Sequence, residues 1–324
     1  MGKKFLRSIV VDETTLGATG DIQPVDLPTN PLSFLVLTVA LERPDEDATS
    51  AHRILSDCFL GIGDISVRHD GEQIIQGSLA DLTMMAAMLT GYTPHGAFRA
   101  GLGQLQTASF LLPFTRRPYW HEEAYPATSR GRFKFHMNVL DVSPGSATAM
   151  TYQLEAVELI EDNPTRFLKY TTLTRALAAT GRQRVPLPLG NQLLGVLLFS
   201  PATEITATEQ SAWAKVQLVK DNVQQYYVES NWEALRADVA IRCPHIAIAM
   251  GHMHASDGTA VPTGDELFDL NRPPAQYGYL DFDPLKDDSF ALDTEGVSDL
   301  ELDMNSDVST GSARYLPVER VAIS

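Results

Sequence analysis

The chain is 324 residues long, enough for two domains of ordinary size, and carries 25 Lys and Arg against 41 Asp and Glu, a formal net charge of −16. That balance excludes a surface built mainly to grip phosphates, and with it direct sequence-specific nucleic-acid binding as the principal task. No apolar run reaches the roughly 18 residues that span a bilayer, and the first residues lack the apolar region of a secretion signal, so synthesis in a cytoplasm is expected.

The opening segment, Met1 to Asn30, shows no regular pattern and is expected to form an N-terminal arm. Its basic cluster, Lys3, Lys4 and Arg7, reads either as an inner-surface arm reaching anionic lipid head groups or as a solvated tail. Phe34 to Glu42 reads as a strand. Cys58 and, far along the chain, Cys243 lack the spacing of a metal knuckle or redox pair and read as separate buried thiols. Ile65 to Gly77 reads as strand, tight turn and strand around Asp70-Gly71, a dipeptide suited to a two-residue hairpin. A helix is expected to follow directly over Ser78 to Leu89, with Ser78 as its N-cap and Asp81 in its first turn.

Gly91 to Arg130 reads as a long irregular stretch. Its Arg116, Arg117, Tyr119, Trp120 and Tyr125, with His121, Glu122 and Glu123, mix arginine and large aromatics as interface hot spots do. Trp120 and Tyr119 serve equally well as pins holding the loop to its own domain. From Arg132 to Asp141, Phe133, Phe135, Met137 and Val139 alternate with Lys134, His136 and Asn138, the period-two signature of a half-buried strand. Met150 to Ile160 reads as another strand, and Glu161-Asp-Asn-Pro-Thr165 as a domain boundary.

Beyond that boundary, strands are expected over Leu168 to Leu177, Gly195 to Ser200 and Trp213 to Val219. Val216 to Glu229 repeats the strand, turn and strand pattern around Asp221-Asn222, and a helix is again expected directly after it, over Asn231 to Ile241. The recurrence, about 150 residues on, points to one architecture used twice. Pro244 to Gln276 is a second irregular stretch, and Tyr277 to Asp283, Ser298 to Asn305 and Arg314 to Ile323 complete the strands. The fold expected is all-β, two tandem eight-stranded jelly-roll β-sandwiches, each with a short helix after a hairpin. The divisions are residues 1–30 (arm), 31–163 (first jelly roll) and 164–324 (second).

Motifs for chemistry are weak. His245, His252 and His254 lie near Asp257, but Gly251 stands directly before His252 where cupin metal sites need five residues between, and no second histidine motif follows. Gly77-Ser78 lacks the second glycine of a nucleophile elbow and fits a helix cap better. Asp281, Asp283, Asp287 and Asp288 lack the glycine and closing glutamate of a calcium loop. No catalytic, cofactor-binding or metal-binding residue is assigned, and the chain is read as structural rather than enzymatic.

The paired hairpin-helix units at Ile65 to Leu89 and Val216 to Ile241, the early strand after Asp26-Leu-Pro28, and the closing Tyr277-Gly-Tyr-Leu-Asp-Phe-Asp283 and Ser298-Asp-Leu-Glu-Leu-Asp-Met304 together resemble the double jelly-roll major capsid proteins of the tectivirus and adenovirus lineage of tailless icosahedral viruses, which includes coats of membrane-containing bacterial and archaeal viruses. The resemblance implies a coat protein of the virion, forming pseudo-hexagonal homotrimers that tile a shell. Its partners would be neighbouring trimers, minor capsid or vertex proteins and an internal lipid membrane. It also implies that the two irregular stretches are tower or inter-subunit loops. Two other readings stand beside it: a tandem jelly-roll carbohydrate-binding protein stacking Tyr119, Trp120 and Tyr125 on sugar rings, and a cupin-like metal enzyme using His252 and His254.

Overall fold

The computed structural model describes residues 3–43, 54–92, 94, 96–98, 104–177, 179–201, 213–224, 226–227, 229–242, 276–306, 309 and 311–323. These divide into two compact units, the first containing residues 3–168 and Ile323, the second residues 169–242 and 276–322.

The first unit runs β1 (Lys4–Thr15), β2 (Gly20–Asp21), β3 (Val25–Asp26), β4 (Leu32–Arg43), α1 (Ile54–Gly61), β5 (Ile62–His69), β6 (Glu72–Ser78), α2 (Leu79–Thr90), β7 (Gly96–Phe98), β8 (Gln104–Pro113), β9 (Phe133–Val139) and β10 (Ala149–Ile160). One sheet has the order β1-β10-β4-β8-β7; the other contains β6-β5-β9-β2, with β3 also on β9. Leu35, Leu37, Val39 and Leu41 of β4 are buried, as are Ile65 and Val67 of β5 and Phe133, Phe135 and Met137 of β9. The predicted hairpin is present, with Asp70 at φ 52° and Gly71 at φ 89°, both in the left-handed region that a tight two-residue turn demands.

Helix α2 also forms where the sequence places it. The Ser78 hydroxyl accepts the Asp81 N–H at 3.2 Å, and the helix ends at Gly91 in the left-handed conformation, whose N–H donates to the Ala87 carbonyl at 2.9 Å. Phe34 and Val36, of opposite parity to the core residues of β4, cluster with Leu111, Val157 and Ala86 of α2. The helix therefore covers the sheet's second face and is buried on nearly every side.

Three expectations change here. Residues 4–15, read as irregular arm, form strand β1; register shifts between Ile9 and Val11 and between Val11 and Thr14 interrupt the alternation that would have revealed it. The stretch Gly91 to Arg130 contains β8, a ten-residue strand between β4 and β7. Its core-facing positions include Gln106 and Ala108, which carry little apolar signal. Helix α1 was not expected either, because a two-turn apolar segment shows no helical period of its own.

The second unit begins within β11 (Arg166–Thr171), whose first three residues belong to the first unit, and continues with β12 (Leu173–Ala176), β13 (Gly181–Pro186), β14 (Gln192–Phe199), β15 (Trp213–Lys220), β16 (Val223–Gln224), β17 (Ser230–Asn231), α3 (Trp232–Arg242), β18 (Tyr277–Asp281), β19 (Leu300–Ser306) and β20 (Ser312–Ala322). One sheet contains β18-β14-β20 with β12 on β20; the other has β13-β19-β15-β16 with β17 on β15. Val196, Leu198, Leu280 and Tyr315 from the first of these sheets join Val216, Leu218, Leu302 and Met304 from the second in one core, with Trp232 and Leu235 of α3. The predicted turn is again left-handed at both residues, Asp221 at φ 48° and Asn222 at φ 65°, but only two residues of the returning strand pair before Tyr226 takes φ 56°.

The duplication extends to single side chains. The Asn30 amide donates to Glu158 Oε2 at 2.7 Å and the Asn191 amide to Glu319 Oε2 at 2.7 Å; Asn191 follows Asn30 by 161 residues and Glu319 follows Glu158 by the same 161. Each pair ties the lead-in of one strand (β4 or β14) to the last strand of its jelly roll, and both carboxylates are buried. Glu158 also accepts from the Ser8 hydroxyl at 2.8 Å, whereas among the described residues Glu319 has Asn191 as its side-chain donor. Hydrogen bonds to a charged group contribute about 1.5–3 kcal/mol, so Asn30→Ala and Asn191→Ala are both expected to lower the urea midpoint, with Asn191→Ala the more damaging.

Candidate functional site

The hot-spot loop follows β8, and the structure shows how it is held. Arg116 and Glu123 are almost wholly buried and form a forked ion pair, Nη2 to Oε2 at 2.6 Å and Nε to Oε2 at 3.1 Å, while the Arg116 backbone N–H donates to Oε1 at 2.6 Å. Arg166 approaches the same carboxylate at 3.6 Å. The guanidinium carbons of Arg116, Arg117 and Arg166 lie over the Trp120 ring at 5.4, 5.1 and 4.9 Å from its centroid, so one indole holds three cations against its π system.

Tyr125 is 3% exposed, stacks on Phe133 at 4.2 Å and meets His69 Nδ1 through its hydroxyl at 2.9 Å. Burial, with Glu72 and Asp70 adding to it, holds its phenol well above the usual range. Of the five loop residues singled out from the sequence, Arg116 and Tyr125 thus face into the first unit, Trp120 is packed among arginines, and Arg117 and Tyr119 are exposed. Tyr119 takes φ 66° and projects its ring between Phe5 of β1 (4.9 Å) and Phe34 of β4 (5.3 Å), both edge to face.

The basic residues of the opening segment are not loose. Lys3 bonds Asp162 at 2.8 Å and Arg7 pairs with Glu155, fastening β1 to β10 and the turn beyond it, while Lys4 is exposed. Around these pairs Phe5, Leu6 and Ile9 remain 59%, 49% and 58% exposed. Phe5 and Ile9, of one parity along β1, share a face with the ring of Tyr119 beside Phe5, while Leu6 lies on the strand's other face; sequence reading missed this edge because β1 itself was missed.

An open polar groove of about 540 Å³ lies on the outer face of β5, β6 and β9, lined by Asp21, Asp64, Ser66, Arg68, His136 and Asn138 among others. Burial, then the charges of Arg68 and Lys134, hold His136 below its usual pKa. The Asp281 to Asp288 run is spent on its own turn: Asp281 accepts from the Asp283 N–H, Asp283 from the Asp288 N–H, and Asp288 pairs with Arg320. Among the described residues no three His, Cys, Asp or Glu side chains converge as a metal site. His245, His252, His254 and Asp257, and residues 244–275 of the second irregular stretch, lie outside the described residues.

No protein-family model and no curated protein sequence matches the chain. Solved structures do match, over nearly its whole length. The STIV (Sulfolobus turreted icosahedral virus) MCP aligns at a TM-score of 0.63 and 12% identity, covering 98% of this chain and 97% of that one. The major capsid protein P2 of bacteriophage PM2 aligns at 0.60 and 12%, covering 98% of each. A chain of the PBCV-1 virus capsid aligns at 0.56 and 10%, covering 99% and 94%. At such identities it is the fold that is shared, and this chain has the double jelly-roll fold of these viral major capsid proteins.

Proposed function

We propose that this chain is the major coat protein of an icosahedral virion, assembling as pseudo-hexagonal homotrimers that tile the shell. The observation that carries this reading is the end-to-end match: both jelly rolls of one chain align with both jelly rolls of coat proteins of nearly the same length. Two rigid sandwiches bearing acidic surfaces suit the task, because a net charge of −16 keeps subunits soluble until paired patches bring them together. Neighbouring trimers, minor capsid or vertex proteins and an underlying membrane are the partners this role calls for, with synthesis in the host cytoplasm before assembly. Direct recognition of a nucleic-acid sequence forms no part of it.

Light scattering and negative-stain microscopy of the purified chain test the proposal together. A particle of three chains with a hexagonal outline is the expected result. A monomer at every concentration and salt condition overturns it.

A further inference from the structure

The two jelly rolls repeat each other closely enough to compare what lies beside equivalent strands. Thr14 and Thr15 of β1 pair with Tyr152 and Thr151, and Arg175 and Ala176 of β12 pair with Ala313 and Ser312, every residue standing 161 positions after its counterpart. By that offset the leading half of β1, Phe5 to Val10, corresponds to β11, Arg166 to Thr171.

The two leading halves differ in their outer neighbours. At the start of β11, within the first unit, the backbone is occupied: the Ala124 N–H donates to the Arg166 carbonyl at 2.9 Å, and the Leu168 N–H donates to the Phe114 carbonyl at 3.0 Å. The corresponding groups of β1 are the Phe5 carbonyl and the Arg7 N–H. Strand β1 ends its sheet, with β10 as its ladder partner among the described residues. An edge strand of twelve residues with exposed Phe5, Leu6 and Ile9 is a template for another chain unless something covers it.

Charge narrows what that cover is. On a chain of net charge −16, most surfaces of two copies repel, but here Lys3 is cancelled by Asp162 and Arg7 by Glu155. Burying this edge against a second acidic copy therefore brings apolar surface together without adding like charge.

We infer that the leading half of β1, with the Tyr119 ring beside it, is the edge to which the second jelly roll of another copy of this chain adds, as Phe114 and Ala124 occupy Arg166 and Leu168 within one chain. This rests on the trimeric coat reading and names the surface that closes the trimer. The contact is heterologous: each copy gives its β1 edge to one neighbour and its second jelly roll to the other, an arrangement that closes a ring of three when successive copies are rotated by a third of a turn.

The test measures the solution mass of the full chain and of the double variant Phe5→Asp with Ile9→Asp, with far-UV circular dichroism and melting as the check on folding. The expected result is a threefold fall in mass, from trimer to monomer, with the spectrum unchanged. A variant that stays trimeric overturns this inference and leaves the coat reading standing; a wild-type chain that is monomeric throughout overturns both. Should the variant fail to fold, hydrogen exchange on the wild-type trimer decides. A slowly exchanging Arg7 amide supports the β1 edge contact, and one exchanging at the rate of an open strand edge overturns it.

Discussion

Replacing Glu123 by Gln is expected to cost the first unit about 3–5 kcal/mol, because the change removes the carboxylate charge that faces the buried Arg116 guanidinium. The geometry makes the loss hard to relieve. Arg116 is 2% exposed at its side chain and Glu123 0%, so neither end can turn to water, and Arg166 relies on the same carboxylate from 3.6 Å. Gln keeps an oxygen for the Arg116 backbone N–H, which now reaches Oε1 at 2.6 Å, so the measured deficit reports the charge more than the backbone bond. The double replacement Arg116→Met with Glu123→Gln removes the buried cation as well and is expected to be more stable than Glu123→Gln alone, since a buried pair is far costlier to halve than to remove. Urea midpoints of the two variants give the comparison. If Glu123→Gln melts with the wild type, the pair does not hold the loop and Trp120 is fixed by other contacts.

That ion pair marks the limit of what the sequence could tell. The hairpins were legible because Asp70-Gly71 and Asp221-Asn222 tolerate positive φ, and α2 because Ser78 announces its first turn; these are local rules written in adjacent residues. The alternation of Phe133, Phe135 and Met137 gave β9 for the same reason. Strand β8 was hidden because Gln106 and Ala108 face the core, a choice that only the opposing sheet explains. Strand β1 was hidden because two register shifts broke its period and because an edge strand buries too little to need one apolar face. At the candidate site, the residue types were visible and their directions were not. Arg116, Tyr125 and Tyr119 look alike as interface residues in a list of letters, yet the first two point inward because Glu123 and His69 await them there, while Tyr119 is turned out by a left-handed backbone.

The same contrast bears on how the loop presents its exposed residues. Arg116 and Glu123, which fix the loop, are charged, buried and bonded to each other, and the Tyr119 N–H donates to the Ser33 hydroxyl, so the exposed residues Arg117, Pro118 and Tyr119 are presented on a fixed base. Association then orders little that was not already ordered.

In the second unit, Trp232→Ala is expected to lose about 3–5 kcal/mol, whereas Trp232→Phe should lose far less. Trp232 opens α3, is wholly buried, and joins the core cluster of Val196, Leu198, Leu280 and Phe282. Its ring fits because position 278 has no side chain: a Cβ on Gly278 would stand 3.0 Å from Trp232 Cζ3 and 3.2 Å from Cη2. Alanine would empty that space between helix and sheet, and the cavity penalty adds to the lost transfer energy. Phenylalanine keeps most of the ring and also removes the indole N–H, which is buried with no partner among the described residues. An unsatisfied buried donor costs about 1–3 kcal/mol, so its removal offsets part of the lost volume. The two rings also predict a coupling: Gly278→Ala should be better tolerated in a Trp232→Phe background than beside the native indole, because the smaller ring withdraws the atoms that the new Cβ would meet. Guanidinium midpoints for the two single substitutions at Trp232, for Gly278→Ala, and for Trp232→Phe combined with Gly278→Ala settle the matter. Equal losses for Trp232→Ala and Trp232→Phe would mean that the indole nitrogen is bonded in solution, and additive losses in the double variant would mean that the sheet, rather than the ring, yields to the new methyl.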